Sequence, residues 1–166
     1  PARIGHNRRE HLLDGRTVLG RNRVGAVVPH VDVLRVTHRD GSPLATWFAH
    51  ACHPTTLGGG NLAVSAEFPG VAVDAVEALH GGTALFAQGC CGDINPTERG
   101  DFAAVEHNGR ALAAAAAGAS GPASASSQDV PLAAHIEVTR LSLQAAPGRD
   151  QLDAELADAD AAAQRG

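Results

Sequence analysis

Between His30 and Ala117 the hydrophobic residues switch repeatedly between a two-residue and a helical period, and the order of those switches narrows the fold more than any other feature. Val31, Val33 and Val36 are set against Asp32 and Arg35 over residues 30–37, the pattern of a half-buried strand. Asp40-Gly41 follows, a pair that favours tight hairpin turns, and Leu44–Ala51 supplies the partner strand. Val71, Ala75, Val76 and Leu79 then recur at helical spacing. Pro69 suits the first turn of that helix, and Gly81-Gly82 ends it. Thr83–Ala87 is short and apolar, which predicts a buried strand, and Gln88–Gly100 reads as a loop. A second helix is predicted over Phe102–Ala117. This succession predicts the α/β class, a mixed β-sheet with flanking helices.

The flanking segments are less patterned. Residues 1–28 are polar and Arg-rich, with turn signals at Asp14-Gly15 and Asn22, and read as loop. A Gly/Ser/Pro-rich linker covers Gly118–Ser127, Leu132–Leu143 alternates as a strand, and Asp150–Gln164 reads as an acidic, alanine-rich helix. The domain expectation is a core of about residues 28–118, a linker over 118–130, and a strand and acidic helix over 131–166. The chain opens on Pro1 and contains no Met, so it is expected to be part of a longer catalytic domain with a sheet left open at its edges.

Composition removes several function classes. Thirteen Lys and Arg stand against 18 Asp and Glu, a net charge of −5, which lacks the basic stripe of a phosphate-backbone binder. Aromatic residues are 3% of the chain, too few for a base-stacking platform, so no nucleic-acid partner is expected. No apolar run approaches the ~18–20 residues that span a bilayer; the run Ala113–Ala117 is far shorter. Three cysteines, two of them adjacent, are not a disulfide framework. The compartment and the oligomeric state are left open.

Two segments carry chemistry-bearing residues just past strands, where α/β proteins place their sites. In His50-Ala51-Cys52-His53-Pro54-Thr55-Thr56, either histidine could ligate a metal, with the alternative that each is a satisfied structural group. The two histidines lie on a strand-to-loop stretch, which separates them from the helical zinc-protease pattern. In Gln88–Pro96, the glycines permit close backbone approach to a ligand, and the loop amides could hold an anion. The plainer alternative is a turn in which Asp93 or Asn95 bonds its own backbone. The paired thiols Cys90 and Cys91 find no Cys–His order or spacing that would mark a nucleophile.

Taken in order, these segments resemble the neutral/alkaline non-lysosomal ceramidase family. His53-x-Thr55-Thr56-(x4)-Asn61-(x3)-Ser65-x-Glu67-(x2)-Gly70 is similar to its zinc-binding segment, with Glu67 in place of an aspartate. Gly92-Asp93-Ile94-Asn95-Pro96 resembles its Gly-Asp-Val-Ser-Pro segment, and His6-Asn7-Arg8-Arg9 its upstream Asn-Arg segment. The resemblance implies a zinc-dependent hydrolase of linear amide bonds acting on a small-molecule or lipid amide, sphingolipids included, with metal-bound water as the nucleophile. It implies His53 as a zinc ligand in preference to His50, and Arg8 as a carbonyl-polarising or substrate-anchoring group. Thr55, Asn61, Ser65, Gly92 and Asp93 would shape the loops around them. Asn95 stands where the family carries the serine proposed as nucleophile; its amide could instead donate to an oxyanion. The family's further zinc ligands, a histidine, a glutamate and a tyrosine, match no position here, and the chain has no Tyr. The Asn95 replacement motivates one alternative, a degenerate relative that binds a ligand without turnover; a second is a metal hydrolase of another ester or amide.

Overall fold

The computed structural model describes residues 1–119 and 133–163. The chain divides into two compact units, Pro1–Ala125 and Ser126–Gly166. Among its described residues the first is α/β, with two three-stranded sheets and two helices.

The predicted hairpin is present. Strands β3 (Asp32–Thr37) and β4 (Pro43–His50) pair antiparallel, in a register that sets Val33 opposite Phe48 and Leu34 opposite Trp47. The numbering here counts two earlier strands, β1 (Gly5–His11) and β2 (Thr17–Asn22). At the β3–β4 turn, the Asp40 carboxylate accepts bonds from the Ser42 amide (2.9 Å) and hydroxyl (2.6 Å). Strand β5 (Thr83–Gln88) joins β4 in parallel, which makes this sheet mixed, in the order β3-β4-β5.

Helix α1 (Glu67–His80) makes the crossover between the two parallel strands. Pro69 lies in its first turn, where the missing amide hydrogen breaks no helical bond. The chain leaves α1 through Gly81 and Gly82, both at positive φ; a Cβ at Gly82 would sit 2.6 Å from the Leu44 carbonyl oxygen. Helix α2 (Phe102–Ala117) is capped by Asp101, whose carboxylate accepts from the Ala104 amide at 2.8 Å. It packs on α1 at Gly109, where a Cβ would come within 2.5 Å of the Val71 Cβ.

The core forms where these helices meet one face of the mixed sheet. Phe48, Phe68, Val76 and Leu112 are fully buried. Phe86 meets Phe48 and Phe68 edge-on, with centroids 5.6 and 6.4 Å away.

Three readings of the sequence are corrected. Residues 1–28 are not all loop, because β1 and β2 form a hairpin there. Within the expected loop Gln88–Gly100, Ile94–Pro96 forms a short strand, β6, antiparallel to β1, giving a second sheet in the order β2-β1-β6. Strand β1 is thus central and laddered on both sides, so backbone bonds hold it although its residues are mostly polar. Finally, Leu132–Leu143 is not a strand over its described residues 133–143. They have no regular structure, and Ile136, Val138, Leu141 and Leu143 are exposed. Alternation makes a strand only when a neighbour supplies the ladder.

In the second unit, α3 (Arg149–Ala163) coincides with the predicted acidic helix, and Gln151 donates to Glu155 one turn on at 2.9 Å. Most of the expected linker lies outside the described residues. Among the described residues, no helix is long and apolar enough to cross a membrane.

Candidate functional site

The antiparallel register of β1 and β6 sets His6 opposite Asn95 and Asn7 opposite Ile94, bringing two segments distant in the chain side by side. Side chains then lock them together. Asn7 donates to the Asp93 carboxylate at 2.8 Å, and the Arg8 amide donates to the Asp93 carbonyl at 2.7 Å. The Gly92 carbonyl accepts from Arg8 Nη2 (2.8 Å), Arg8 Nε (3.2 Å) and Arg9 Nη2 (3.2 Å). The loop itself is closed by a bond from the Ile94 amide to the Cys91 carbonyl at 2.9 Å. The Asp93 carboxylate therefore faces Asn7, instead of forming the local turn that was the plainer expectation.

Arg8 also reaches Asn95, with Nη1 donating to Oδ1 at 3.3 Å. Arginine only donates, so this contact fixes which way the amide faces and leaves Asn95 Nδ2 as the donor available nearby. Asn95 is buried yet lines a cleft of about 390 Å³, together with Arg8, Thr55, Asn61, Ser65, Glu67 and Arg99.

Another part of the lining comes from the loop after β4. Asn61 bonds its own loop in both directions, to the Ala63 carbonyl (2.7 Å) and from the Ala63 amide (3.3 Å). The Ser65 hydroxyl accepts from the Glu67 amide at 2.9 Å.

Glu67 and Arg99 were not singled out as site residues in the sequence. Glu67 has φ 54°, in the left-handed region that costs a non-glycine residue energy. Its Oε1 accepts from the Leu57 amide at 2.8 Å, while its buried Oε2 has no partner among the described residues. The Thr55 hydroxyl is likewise buried without a partner among the described residues. Arg99 Nε donates to the Thr55 carbonyl at 3.2 Å. A lone loop arginine has no pattern to betray it. Glu67 could have been found through its place in the ceramidase-like spacing.

The two histidines have different surroundings. His50 is buried, with Nδ1 2.8 Å from the His30 carbonyl, so that nitrogen carries the proton and donates. Burial holds its pKa below the usual histidine value, against a smaller opposing effect of that bond. His53 is half-buried and lies outside the cleft lining, next to its Thr55 wall. Burial, then Arg8 and Arg9, lower its pKa, favouring the neutral ring that ligates metals. Its Nδ1 lies 3.3 Å from Cys91 Sγ. The third thiol, Cys52, is sealed in the core and pushed up to about 12, first by burial and then by Cys91 and Glu67.

Zinc is the metal that the sequence resemblance implies. Among the described residues, no three His, Cys, Asp or Glu side chains converge as a metal site would require. His53 and Cys91 offer one edge of a tetrahedral set, which is less than a closed site.

No family model matches the chain, and no curated protein does. By fold, the chain is similar to part of a ceramidase. One such structure, a ceramidase complexed with C2, aligns with a TM-score of 0.51 and 21% identity over 58% of this chain and 18% of that one. The neutral ceramidase from Pseudomonas aeruginosa aligns with a TM-score of 0.49 and 22% identity over 55% and 16%. The chain therefore spans less than a fifth of the length of either.

Proposed function

We propose that this chain forms part of the catalytic domain of a ceramidase-like hydrolase that cleaves linear amide bonds with the help of zinc. The observation that carries the reading is the Arg8–Asn95 contact at the cleft. It aims an amide donor at a space large enough for an acyl-amide group, beside the histidine loop. The likeness in fold to a ceramidase supports the same class.

In this reading the cleft binds the amide with its carbonyl oxygen toward Asn95 Nδ2. Arg8 keeps that donor oriented and adds positive charge where negative charge develops on the oxygen. The rigid Asn7–Asp93 and Arg8–Gly92 clamps mean that little reorganisation is needed as the reaction proceeds. Zinc, when bound, supplies an acidified water and polarises the carbonyl. His53 is a ligand that this chain would contribute to it.

The test is zinc content and turnover of a panel of N-acyl amides by the full chain as its gene encodes it. His53→Ala is expected to lose both. Equal zinc content in wild type and His53→Ala would overturn the assignment.

A further inference from the structure

β4 and β5 run parallel, and their register pairs His50 with Gln88, the last residue of each strand. Two loops therefore leave the sheet side by side in the same direction. Three residues beyond each strand end they present His53 and Cys91, whose Nδ1 and Sγ meet at 3.3 Å. Zinc–sulfur bonds of about 2.3 Å and zinc–nitrogen bonds of about 2.0–2.1 Å, opened at a tetrahedral angle, place two such donors roughly 3.5 Å apart. The contact has the spacing of two ligands on one ion.

Charge favours the thiol as a ligand. Arg8 and Arg9 both donate to the Gly92 carbonyl, next to Cys91, and a bound cation would meet their repulsion there. An anionic donor on the spot offsets it. The Asp93 carboxylate is held by Asn7. Cys52 is enclosed in the core and Cys90 is exposed, which leaves Cys91 as the thiol in contact with the ring.

We infer that Cys91 is a second protein ligand, beside His53, for a thiophilic divalent cation of the zinc type. This rests on the metal-dependent reading above. On binding, the Cys91 S–H bond breaks, its proton passes to solvent, and the sulfur electron pair forms the bond to the cation; no electron is transferred.

Cobalt(II) is the probe, added to the full chain as its gene encodes it. Wild type is expected to develop the near-ultraviolet charge-transfer absorption of a cobalt–thiolate bond. Bound metal should also protect Cys91 from alkylation while Cys90 still reacts. Cys91→Ser should abolish the absorption and weaken binding by more than about 100-fold, beyond the 10–100-fold typical of an outer hydrogen-bond partner. Cys90→Ser should change neither. Circular dichroism of each variant separates ligand loss from misfolding, and the alkylation result stands without any variant. Cobalt bound without the thiolate absorption, in a manner still lost in His53→Ala, would overturn this inference and leave the zinc reading intact. Absorption that follows Cys90 would overturn it as well. No cobalt or zinc binding by wild type would remove both.

Discussion

At the scale of the residue, the site turns on Asn95, because asparagine cannot serve as an acyl-accepting nucleophile. It can donate, and the 3.3 Å bond from Arg8 to its Oδ1 fixes it in the donating orientation. If attack comes from water, Asn95→Ala should lower kcat by about 10²–10³ with little change in KM, the usual consequence of deleting an oxyanion donor. Asn95→Asp should do the same, since its carboxylate accepts from Arg8 but offers no hydrogen. Asn95→Ser should bring no gain. Steady-state kinetics on N-acyl amides decide it; a fully active Asn95→Ala, or an acyl group bound covalently to this loop, would defeat the reading. The resemblance in sequence pointed to Arg8 and Asn95 separately; the β1–β6 register brings their segments together, and the side-chain bond shows that they touch. The His53–Cys91 contact is harder to foresee. Its partners are 38 residues apart, and no spacing rule links them until β4 and β5 are known to be parallel and in register.

At the scale of the element, hydrophobic period was a sound guide wherever side chains are buried by period. The β3–β4 hairpin, α1, β5 and α2 all lie close to the segments that the apolar pattern marks. It failed in both directions elsewhere. β1 carries Gly5-His6-Asn7-Arg8-Arg9-Glu10-His11, whose side chains serve loop clamps and the cleft, so a central strand is written in polar residues. Residues 133–143 carry a strand's alternation without a partner. The α1–α2 contact offers a sharp check on packing. Gly109 faces Val71 and the Phe68 carbonyl, and an added Cβ would lie 2.5 Å from the Val71 Cβ and 2.8 Å from that oxygen. Gly109→Ala improves helix propensity, but the helices would have to separate, which costs about 1–3 kcal/mol and exceeds the helical gain of about 1 kcal/mol. Chemical denaturation should therefore show a net loss of stability. A more stable Gly109→Ala would mean the two helices do not pack this closely.

At the scale of the molecule, the mixed sheet has two faces with opposite fates. Val33, Phe48 and Phe86 are in register on the face that meets α1 and α2. One residue out of step, Leu34, Trp47 and Leu85 form a second row across the same three strands, with 58%, 38% and 52% of their surfaces exposed. Val36, at 41%, extends that row along β3, which is an edge strand. A contiguous apolar row ending on an open edge invites association both face to face and edge to edge. The 166-residue chain, purified alone, is expected to self-associate with rising concentration. The double variant Leu34→Lys, Leu85→Lys should shift it toward monomer without loss of helical signal, because both side chains already point to water. Light scattering across a concentration series measures the shift, and circular dichroism checks the fold. A wild-type chain that stays monomeric throughout and melts in one sharp cooperative transition would show that the exposed row is tolerated. Association unchanged in the double variant would place the contact on another surface.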